Sequence, residues 1–487
     1  MSTRSHLLTT SHIPSKSAPW RGLYVLLLAG FVTIFDLFVV NVAIPSMQAG
    51  LNASFSQIGL IVAGYELAFG VLLITGGRLG DMFGRRRLFI IGMLGFTFSS
   101  FVCAVAPTAN ILIGARVLQG FSAALLFPQV YASIRVNFTG DDSRRAFGLL
   151  GMTLGLAAIA AQVLGGWIVH GDFFELGWRS LFLINLPVGL FAIFSARLIP
   201  ESRSEERPSL DWVGVFLISV GLSLLLIPLI NGPEADWPSW TLLSLAGAAM
   251  MLVLFYRQQE NSRLAAKLPL VDMQLLSQKR FALGTVLVLL VYSTSSSFFL
   301  SFALLVQTGL EIDPFVAGSI FAPCSVGFVV ASLVTPKLVT RWGEKVIVVG
   351  ASIYAVSMGL LILQVYEAGA GLNAVLLIPA LFIVGFGQGS IMTPLLNLVL
   401  GFVEEKQAGM ASGVVSTVQQ LGAAFGVAVI GILFNTALST NNESVELASQ
   451  YSSAFVAGML YNFAAAVIVC FLLIKLVKAK HLGCLRP

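Results

Sequence analysis

Charged residues are scarce in this sequence, because Asp, Glu, Lys and Arg together make up only 10% of its 487 residues. Soluble globular domains usually devote about a quarter of their residues to these four types. The chain also lacks any long polar segment that could fold as a separate soluble domain. These shortages argue against a soluble enzyme and place any chemistry in or beside a membrane.

Residue patterns for catalysis, metal binding and ATP binding are missing as well. The four histidines form no metal-ligand cluster, and no loop collects a nucleophile with a base. No lysine follows a glycine anywhere in the chain, so the phosphate-binding loop of ATP-driven pumps is absent. We therefore expect neither an enzyme nor a metal site, and no cofactor.

The chain contains long apolar runs instead, and 57% of its residues are hydrophobic. Each run is close to the roughly 20 residues that an α-helix needs to cross about 30 Å of hydrocarbon. Fourteen runs predict an all-α polytopic membrane protein. The predicted spans are 22–46, 57–77, 87–106, 110–134, 146–169, 180–199, 211–231, 239–256, 281–306, 315–338, 345–366, 374–400, 408–434 and 452–477.

Basic residues collect in every second loop between the predicted spans. Of the 28 Lys and Arg residues, 26 lie in these alternate loops or at the two chain ends, and the exceptions are Arg116 and Arg179. Positive charge favours the cytoplasmic side, so both termini are predicted to be cytoplasmic, in a cell membrane. The net charge of +5 follows from this asymmetry, and it indicates contact with anionic lipid rather than with nucleic acid.

Two pairs of stretches indicate an internal repeat. "GGRLGDMFGRRRLFI" and "TPKLVTRWGEKVIVV" follow spans two and ten, and "RVLQGFSAA" in span four is echoed by "GFGQGSIMT" in span twelve. Such repeats are typical of transporters built from two similar bundles. We predict a leader (1–20), a six-helix bundle (21–200), two extra helices (201–280), a second six-helix bundle (281–478) and a tail (479–487).

These motifs resemble those of the major facilitator superfamily. "GGRLGDMFGRRR" looks like its loop signature, and "RVLQGFSAA" resembles its fourth-helix motif. Over residues 20–475 the fourteen spans are similar to the multidrug:proton antiporter branch, together with "FDLFVVNVAIPSMQ", "WRSLFLINLPVG", "DWVG" and "GMASGVVSTVQQLGAAFGVAVIG". The resemblance implies the major facilitator fold, a small-molecule substrate and a proton gradient as driving force.

Only three charged residues lie well inside the predicted spans, namely Asp36, Glu66 and Arg116. Ionisable groups in a membrane are costly, and by default they are functional. The resemblance implies that Asp36 and Arg116 couple transport to protons. Glu66 has no counterpart in that pattern, and we interpret it as a second carboxylate for protons or for cation selectivity. Alternatively, an Asp–Arg pair could only stabilise helix packing.

Further polar residues are expected to line the cavity. Asn41, Gln119 and Gln162 belong to the first bundle, and Tyr292, Ser295 and Ser296 form a candidate facing wall. The hydroxyl groups could equally bond to their own helix backbone. Gln162 marks a departure from the family: "AAQVLGGW" has Ala-Gln where the antiporter signature has Gly-Pro, and this weakens the inference of export.

The loop after span two has a mechanical interpretation. Gly77 permits close helix approach, and Gly84 permits a tight turn. Asp81 can accept hydrogen bonds at a helix end or pair with a cation, and the basic residues Arg85, Arg86 and Arg87 hold the loop on the cytoplasmic side. The resemblance implies that this loop latches the cytoplasmic face closed. Alternatively, the loop only enforces topology.

The leading hypothesis is a monomeric, proton-coupled exporter of amphipathic and often cationic drugs or toxic compounds. A second hypothesis is transport of a defined metabolite, such as a polyamine or an amino-acid-like solute. A third is a membrane sensor that keeps the fold without transporting, although the intramembrane charges argue against it.

Overall fold

The structure, a computed structural model, describes residues 18–172, 175–203, 210–264, 269–271, 273–403, 408–439 and 446–481. Most of the predicted leader and most of the predicted tail lie outside these ranges. Across the described residues the chain is helical and has no strand. Within these described ranges, fourteen helices are long and apolar enough to cross a membrane.

We number these fourteen helices in chain order, and each overlaps one predicted span. They are α1 (Trp20–Leu51), α2 (Phe55–Phe83), α3 (Arg85–Val105), α4 (Ala109–Asn137), α5 (Gly140–Gly171), α6 (Gly177–Leu198), α7 (Trp212–Asn231), α8 (Ser239–Leu264), α9 (Lys279–Gly309), α10 (Pro314–Trp342), α11 (Lys345–Ala368), α12 (Ala374–Leu400), α13 (Met410–Leu438) and α14 (Leu447–Val477). The predicted number and order of spans are confirmed. Most helices extend beyond their apolar runs, because a helix can continue past the hydrocarbon layer.

Two helices depart from regular α geometry in ways that matter for the site. The last turn of α9, Leu304–Gly309, is a π-helix. Helix α6 combines 3₁₀ turns at both ends with helical segments Ser180–Leu183 and Asn185–Ser195. A short helix, Met273–Ser277, precedes α9.

The helices pack as two groups with a pair beside them. Helices α1 to α6 pack together, with α4 against α2 and α3, and α1 against α5. Helices α9 to α14 pack together, with α12 against α10 and α11, and α9 against α13 and α14. The groups meet where α2 contacts α13 and where α5 contacts α10, and α7 packs against α8, α2 and α13.

The sequence repeat corresponds to a repeated packing contact. A side chain at Gly120 of α4 would collide with the carbonyl of Tyr65 in α2. A side chain at Gly389 of α12 would collide with the carbonyl of Phe328 in α10. Glycine at both positions lets two helices approach closely, as small residues do in membrane helix pairs.

On the α5–α10 side, the two groups of helices are in contact at one end of the bundle and are separated at the other end. We call the end where α1 begins the terminal face and the opposite end the far face. At the far face, Gly166 abuts the backbone of Pro314, and His170 Nδ1 donates to Asp313 Oδ2 at 2.7 Å. Towards the terminal face, Gly148 and Gly151 of α5 border open space.

Asp313 contributes twice to this far-face contact. Its Oδ1 accepts a hydrogen bond of 2.9 Å from the backbone N–H of Phe315, which caps α10. Partial burial disfavours the ionised carboxylate, but the hydrogen bonds from His170 and the α10 backbone outweigh it and hold the pKa of Asp313 below its usual range. The carboxylate therefore stays ionised beside the exposed His170 ring.

The contact between α2 and α13 is closed over most of its length. Phe55 stacks on Phe434 near the far face, with ring centroids 6.2 Å apart. Nearer the terminal face, Thr417 Oγ1 donates to the Gly70 carbonyl at 2.9 Å. The largest cluster of buried apolar side chains extends across both groups. The apolar core therefore continues across the boundary between the two groups.

Candidate functional site

Asp36 of α1 is completely buried and accepts three hydrogen bonds inside the first group of helices. Arg116 Nη1 donates to Asp36 Oδ2 at 2.5 Å. Gln119 Nε2 and Asn185 Nδ2 both donate to Asp36 Oδ1, at 2.9 Å and 2.8 Å. The structure thus brings Asp36, Arg116 and Gln119 together, as their spans allowed.

The partners of Asp36 are themselves held by further contacts. Arg116 Nη1 also donates to Gln119 Oε1 at 2.7 Å, and Arg116 Nε donates to the Ile61 carbonyl at 3.3 Å. The guanidinium carbon lies 4.3 Å from the centroid of the Tyr65 ring. Ser100 Oγ accepts from Gln119 at 2.8 Å. Such extensive pairing offsets the cost of removing two charges from water.

This Asp36 network, made of Asp36, Arg116, Gln119, Asn185 and Ser100, connects α1, α3, α4 and α6. Asp36 is 0% exposed and Arg116 is 1% exposed, so water reaches neither in this conformation. Exchange of a proton with water therefore requires a conformation in which the network opens. The coupling role of Asp36 and Arg116 stays a prediction.

Sequence reasoning missed two members of the network. Asn185 is the only amide in the apolar stretch "WRSLFLINLPVG", and that isolation was the available signal. Ser100 carried no comparable signal, since a serine in a membrane helix usually bonds to its own backbone. Tyr65 was also overlooked, although its neighbour Glu66 was singled out.

Glu66 does not join these hydrogen bonds but lies between the two groups of helices. Its Oε1 accepts a hydrogen bond of 3.1 Å from Ser296 Oγ of α9, a residue 230 positions away. Its Oε2 has no hydrogen-bond partner among the described residues, although Glu66 is only 5% exposed. One buried carboxylate oxygen is therefore free to bind a proton or a donor group.

The candidate facing wall on α9 divides into residues that reach across and residues that bond locally. Ser296 reaches across to Glu66 in the first group. The Tyr292 hydroxyl instead accepts from Gln419 Nε2 of α13, within its own group of helices, at 2.6 Å. Ser295 is 9% exposed. Thr294 donates to the carbonyl of Val291 in its own helix at 2.8 Å. Both interpretations of this polar stretch therefore apply, to different residues.

Asn41 and Gln162 lie away from the Asp36 network. Both line a cleft between α1, α5, α9 and α10, together with Gln307. Asn41 is 5 residues beyond Asp36 along α1, and so it lies about 7.5 Å nearer the far face. These two amides therefore contribute to a separate region of the boundary.

The loop between α2 and α3 docks onto the chain segment after α6. Asp81 Oδ1 accepts from Arg85 Nη2 at 2.6 Å, and the Arg85 N–H donates to the Ser202 carbonyl at 2.9 Å. The Arg86 N–H donates to Glu201 Oε1 at 3.0 Å. Gly84 between the two helices has a φ of +105°, which strains residues with side chains. Gly77 faces Pro128 of α4.

These contacts join the α2–α3 loop to the segment directly after α6, and none of them reaches helices α9 to α14. They leave the terminal face unlatched at the α5–α10 boundary in this conformation, and a latching role for Asp81 stays a prediction. Glu201 was not foreseen from the sequence. As regards metals, no cluster of three or more His, Cys, Asp or Glu that could hold an ion occurs among the described residues.

We expect Asp81→Asn to slow transport about tenfold while lowering the free energy of unfolding by less than about 1 kcal/mol, the usual upper value of an exposed ion pair. The matched control is Glu201→Gln, which weakens the contacts of Glu201 with Arg86 and Arg87 but leaves the Asp81–Arg85 pair in place. Ethidium efflux from cells and thermal unfolding in detergent measure the two effects. Equal transport by Asp81→Asn and wild type would leave the loop with a topological role alone.

The sequence matches one family model and is similar to proteins named as transport or export proteins. The family model described as Major Facilitator Superfamily matches residues 26–427 and 285–482. The chain is 37% identical to the probable actinorhodin transporter of Streptomyces coelicolor, covering 88% of this chain and 74% of that protein. It is 33% identical to the cephamycin export protein CmcT of Amycolatopsis lactamdurans, covering 90% of each.

One further relative and one solved structure are also similar to this chain. The puromycin resistance protein pur8 of Streptomyces alboniger is 31% identical, over 92% of this chain and 88% of that one. Among solved structures, an inward-facing bacterial homologue of the lysosomal transporter Spinster superposes with a TM-score of 0.66. That match covers 96% of this chain and 98% of the other at 13% identity, so it indicates the fold alone.

Proposed function

Because the chain belongs to the major facilitator superfamily, we propose that it exports amphipathic drugs or antibiotics in exchange for protons. The family consists of transporters of small molecules, and the similar proteins named above are a probable actinorhodin transporter, a puromycin resistance protein and a cephamycin export protein. The observation that carries the proton-coupled part is Glu66, a buried carboxylate that bridges the two groups of helices with one oxygen free.

Glu66 is suited to respond to movement between the two groups. An ionised carboxylate in a dry site is costly unless it is paired, so Glu66 favours a bound proton or a bound cation. Separation of α2 from α9 would break the Ser296 hydrogen bond and admit water. The proton and a cationic substrate can then compete for the same carboxylate, which is the basis of exchange.

The free energy released by the entry of one proton can be compared with the cost of exporting one substrate molecule. Moving one charge down a 100 mV potential yields about 2.3 kcal/mol. A pH difference of one unit adds about 1.4 kcal/mol. Concentrating a substrate tenfold costs about 1.4 kcal/mol. For a monovalent cation exchanged for one proton the two potential contributions cancel, so the pH difference alone supports about a tenfold accumulation. For an uncharged substrate both contributions count, and one proton can drive a larger accumulation.

Asp36 has a different place in this proposal. Its network is neutral as a whole and sealed, so it is stable while the proton is at Glu66. Opening of the network in another conformation would let Asp36 take the proton and release the Arg116 charge. This assignment rests on the matching positions in the family, and its test opens the Discussion.

The orientation follows from the basic loops. We assign the terminal face to the cytoplasm, in the cell membrane, with the chain acting as a monomer. The two six-helix bundles, 21–200 and 281–478, would rock about the boundary, and 201–280 would supply the extra helix pair. The opening between α5 and α10 then faces the cytoplasm, where substrate is collected.

The test is transport by the purified protein in proteoliposomes with an acidic lumen. Ethidium carries a permanent charge and is not trapped by acid, so it reports carrier-driven accumulation. We expect molecules with the cytoplasmic face outwards to accumulate ethidium and puromycin until a protonophore is added. Protein-free liposomes serve as the control. Ethidium accumulation that does not depend on the pH gradient would reject the proposal. Spermidine is tested in the same assay, and accumulation of spermidine alone would reject drug export and favour a metabolite carrier.

A further inference from the structure

A narrow cleft lies between the two groups of helices on the far-face side of Asp36. We call it the amide cleft, and its principal lining residues are Asn41, Gln162, Gln307, Phe299, Phe302 and Phe321. In this conformation it has room for about one water molecule at most. It shares no lining residue with the Asp36 network or with the Glu66–Ser296 hydrogen bond.

Three amide atoms in the amide cleft have no hydrogen-bond partner among the described residues. They are Asn41 Oδ1, Gln162 Nε2 and Gln307 Oε1. Asn41 is 8% exposed and Gln162 is 4% exposed, so solvent does not satisfy them. Buried polar groups are nearly always paired, and an unpaired one carries a desolvation cost. Three unpaired amide atoms from α1, α5 and α9 therefore indicate a binding site for a polar molecule.

The backbone around Gln307 gives a second, independent indication. Gln307 lies in the π-helical turn Leu304–Gly309 at the end of α9. The Leu310 N–H closes this wide turn by donating to the Leu305 carbonyl at 2.9 Å. Isolated π-helical turns occur often at functional sites, since they shift a side chain out of the regular helical register.

Aromatic rings form the apolar wall of the cleft. The centroids of Phe299 and Phe321 are 4.8 Å apart, and those of Phe302 and Phe321 are 5.0 Å apart. Rings at these separations offer faces and edges to another aromatic system. None of the lining residues is charged. The cleft therefore suits an uncharged ring system and lacks a counterion for a cation.

We propose that the amide cleft is a binding subsite for uncharged, planar aromatic substrates that carry carbonyl and hydroxyl groups. The Gln162 amide N–H donates to a substrate carbonyl, and the Asn41 and Gln307 carbonyl oxygens accept from substrate hydroxyls. This inference rests on the proposed export function, because the substrate is the cargo of that transport. Under this proposal, the place of binding depends on the charge of the substrate. Cations bind at Glu66, and neutral aromatic molecules bind in the amide cleft.

Access to the subsite depends on movement at the far face. Gly318 of α10 lies against the backbone carbonyl of Gln162, and the absence of a side chain there lets α5 and α10 approach closely beside the cleft. When these helices part, the cleft widens and opens towards the far face. A substrate bound there is thus positioned for release on the side away from the cytoplasm.

The test compares two ligands by equilibrium dialysis with the purified full-length protein at constant pH. The probes are 1,8-dihydroxyanthraquinone, which is neutral, and ethidium, which is cationic. We expect Gln162→Leu to raise the Kd of the anthraquinone about three- to tenfold, the effect of one lost hydrogen bond, with the Kd of ethidium unchanged. Gln307→Leu, on the opposite wall, should act in the same way.

Gln388→Leu is the matched control, because Gln388 is a buried glutamine that does not line the cleft and whose Nε2 has no hydrogen-bond partner in the described part of the chain. It should leave the anthraquinone Kd at the wild-type value. Equal shifts for both ligands, or no shift in either cleft variant, would overturn the inference. Dialysis needs no proton gradient, so failure of proton-driven transport with a retained anthraquinone effect would reject the coupling alone.

Discussion

Asp36→Asn is expected to reduce proton-driven efflux by about 100-fold or more, which corresponds to about 2.7 kcal/mol of lost coupling. Asn has nearly the same shape and can keep hydrogen bonds to Gln119 and Asn185, but it cannot exchange a proton. It also leaves the buried Arg116 charge without its counterion. Ethidium accumulation in proteoliposomes with an acidic lumen measures the loss.

The structure shows why this substitution needs a stability control. Breaking a buried ion pair by removing one partner usually costs about 3–5 kcal/mol of folding free energy, because an uncompensated charge remains. Asp36→Asn combined with Arg116→Gln restores a neutral and hydrogen-bonded pair. If that double variant folds and transports normally, the pair only stabilises packing. If it folds but stays inactive in proton-driven transport, Asp36 or Arg116 belongs to the coupling mechanism.

Glu66→Gln is expected to weaken ethidium binding about ten- to 100-fold. Interactions with a charged group contribute about 1.5–3 kcal/mol, and Gln removes the charge while keeping the hydrogen-bonding capacity towards Ser296. Binding of 1,8-dihydroxyanthraquinone should change little, since Glu66 does not line the amide cleft. Equilibrium dialysis of both compounds gives the ratio directly.

Ser296→Ala is the matched control for Glu66→Gln. It removes the 3.1 Å hydrogen bond to Glu66 but leaves the carboxylate in place, so ethidium affinity should fall less than in Glu66→Gln. An equal loss for the neutral and the cationic compound in Glu66→Gln would contradict the selectivity role. Unchanged ethidium binding and unchanged proton-driven transport would remove Glu66 from the mechanism altogether.

The two carboxylates therefore differ in the conformational change that each needs before it can exchange a proton. Asp36 is satisfied by three donors within one group of helices, and its response requires that group to loosen. Glu66 is held by one donor from the other group, and its response requires only that the groups move apart. Separate single variants, compared with the same two probes, can distinguish internal rearrangement from rocking.

The sequence by itself determined the fourteen helices, their order and the internal repeat. The thickness of the hydrocarbon layer sets the length of each apolar run, so spans can be read without knowledge of tertiary contacts. The pair Gly120 and Gly389 was likewise visible as a repeat, and both residues prove to make the same close helix contact. The three intramembrane charges stood out because each is costly in lipid.

Only the tertiary structure decided which polar residues meet. Gln162 was grouped with Asp36 but lines the amide cleft, Glu66 bonds to Ser296 in the other group, and Asn185 completes the Asp36 network. In a membrane helix both the lipid-facing side and the packed side are apolar, so the sequence pattern does not reveal how the helix is rotated. Rotation is set by packing against neighbouring helices, and the partners of each polar side chain follow from it.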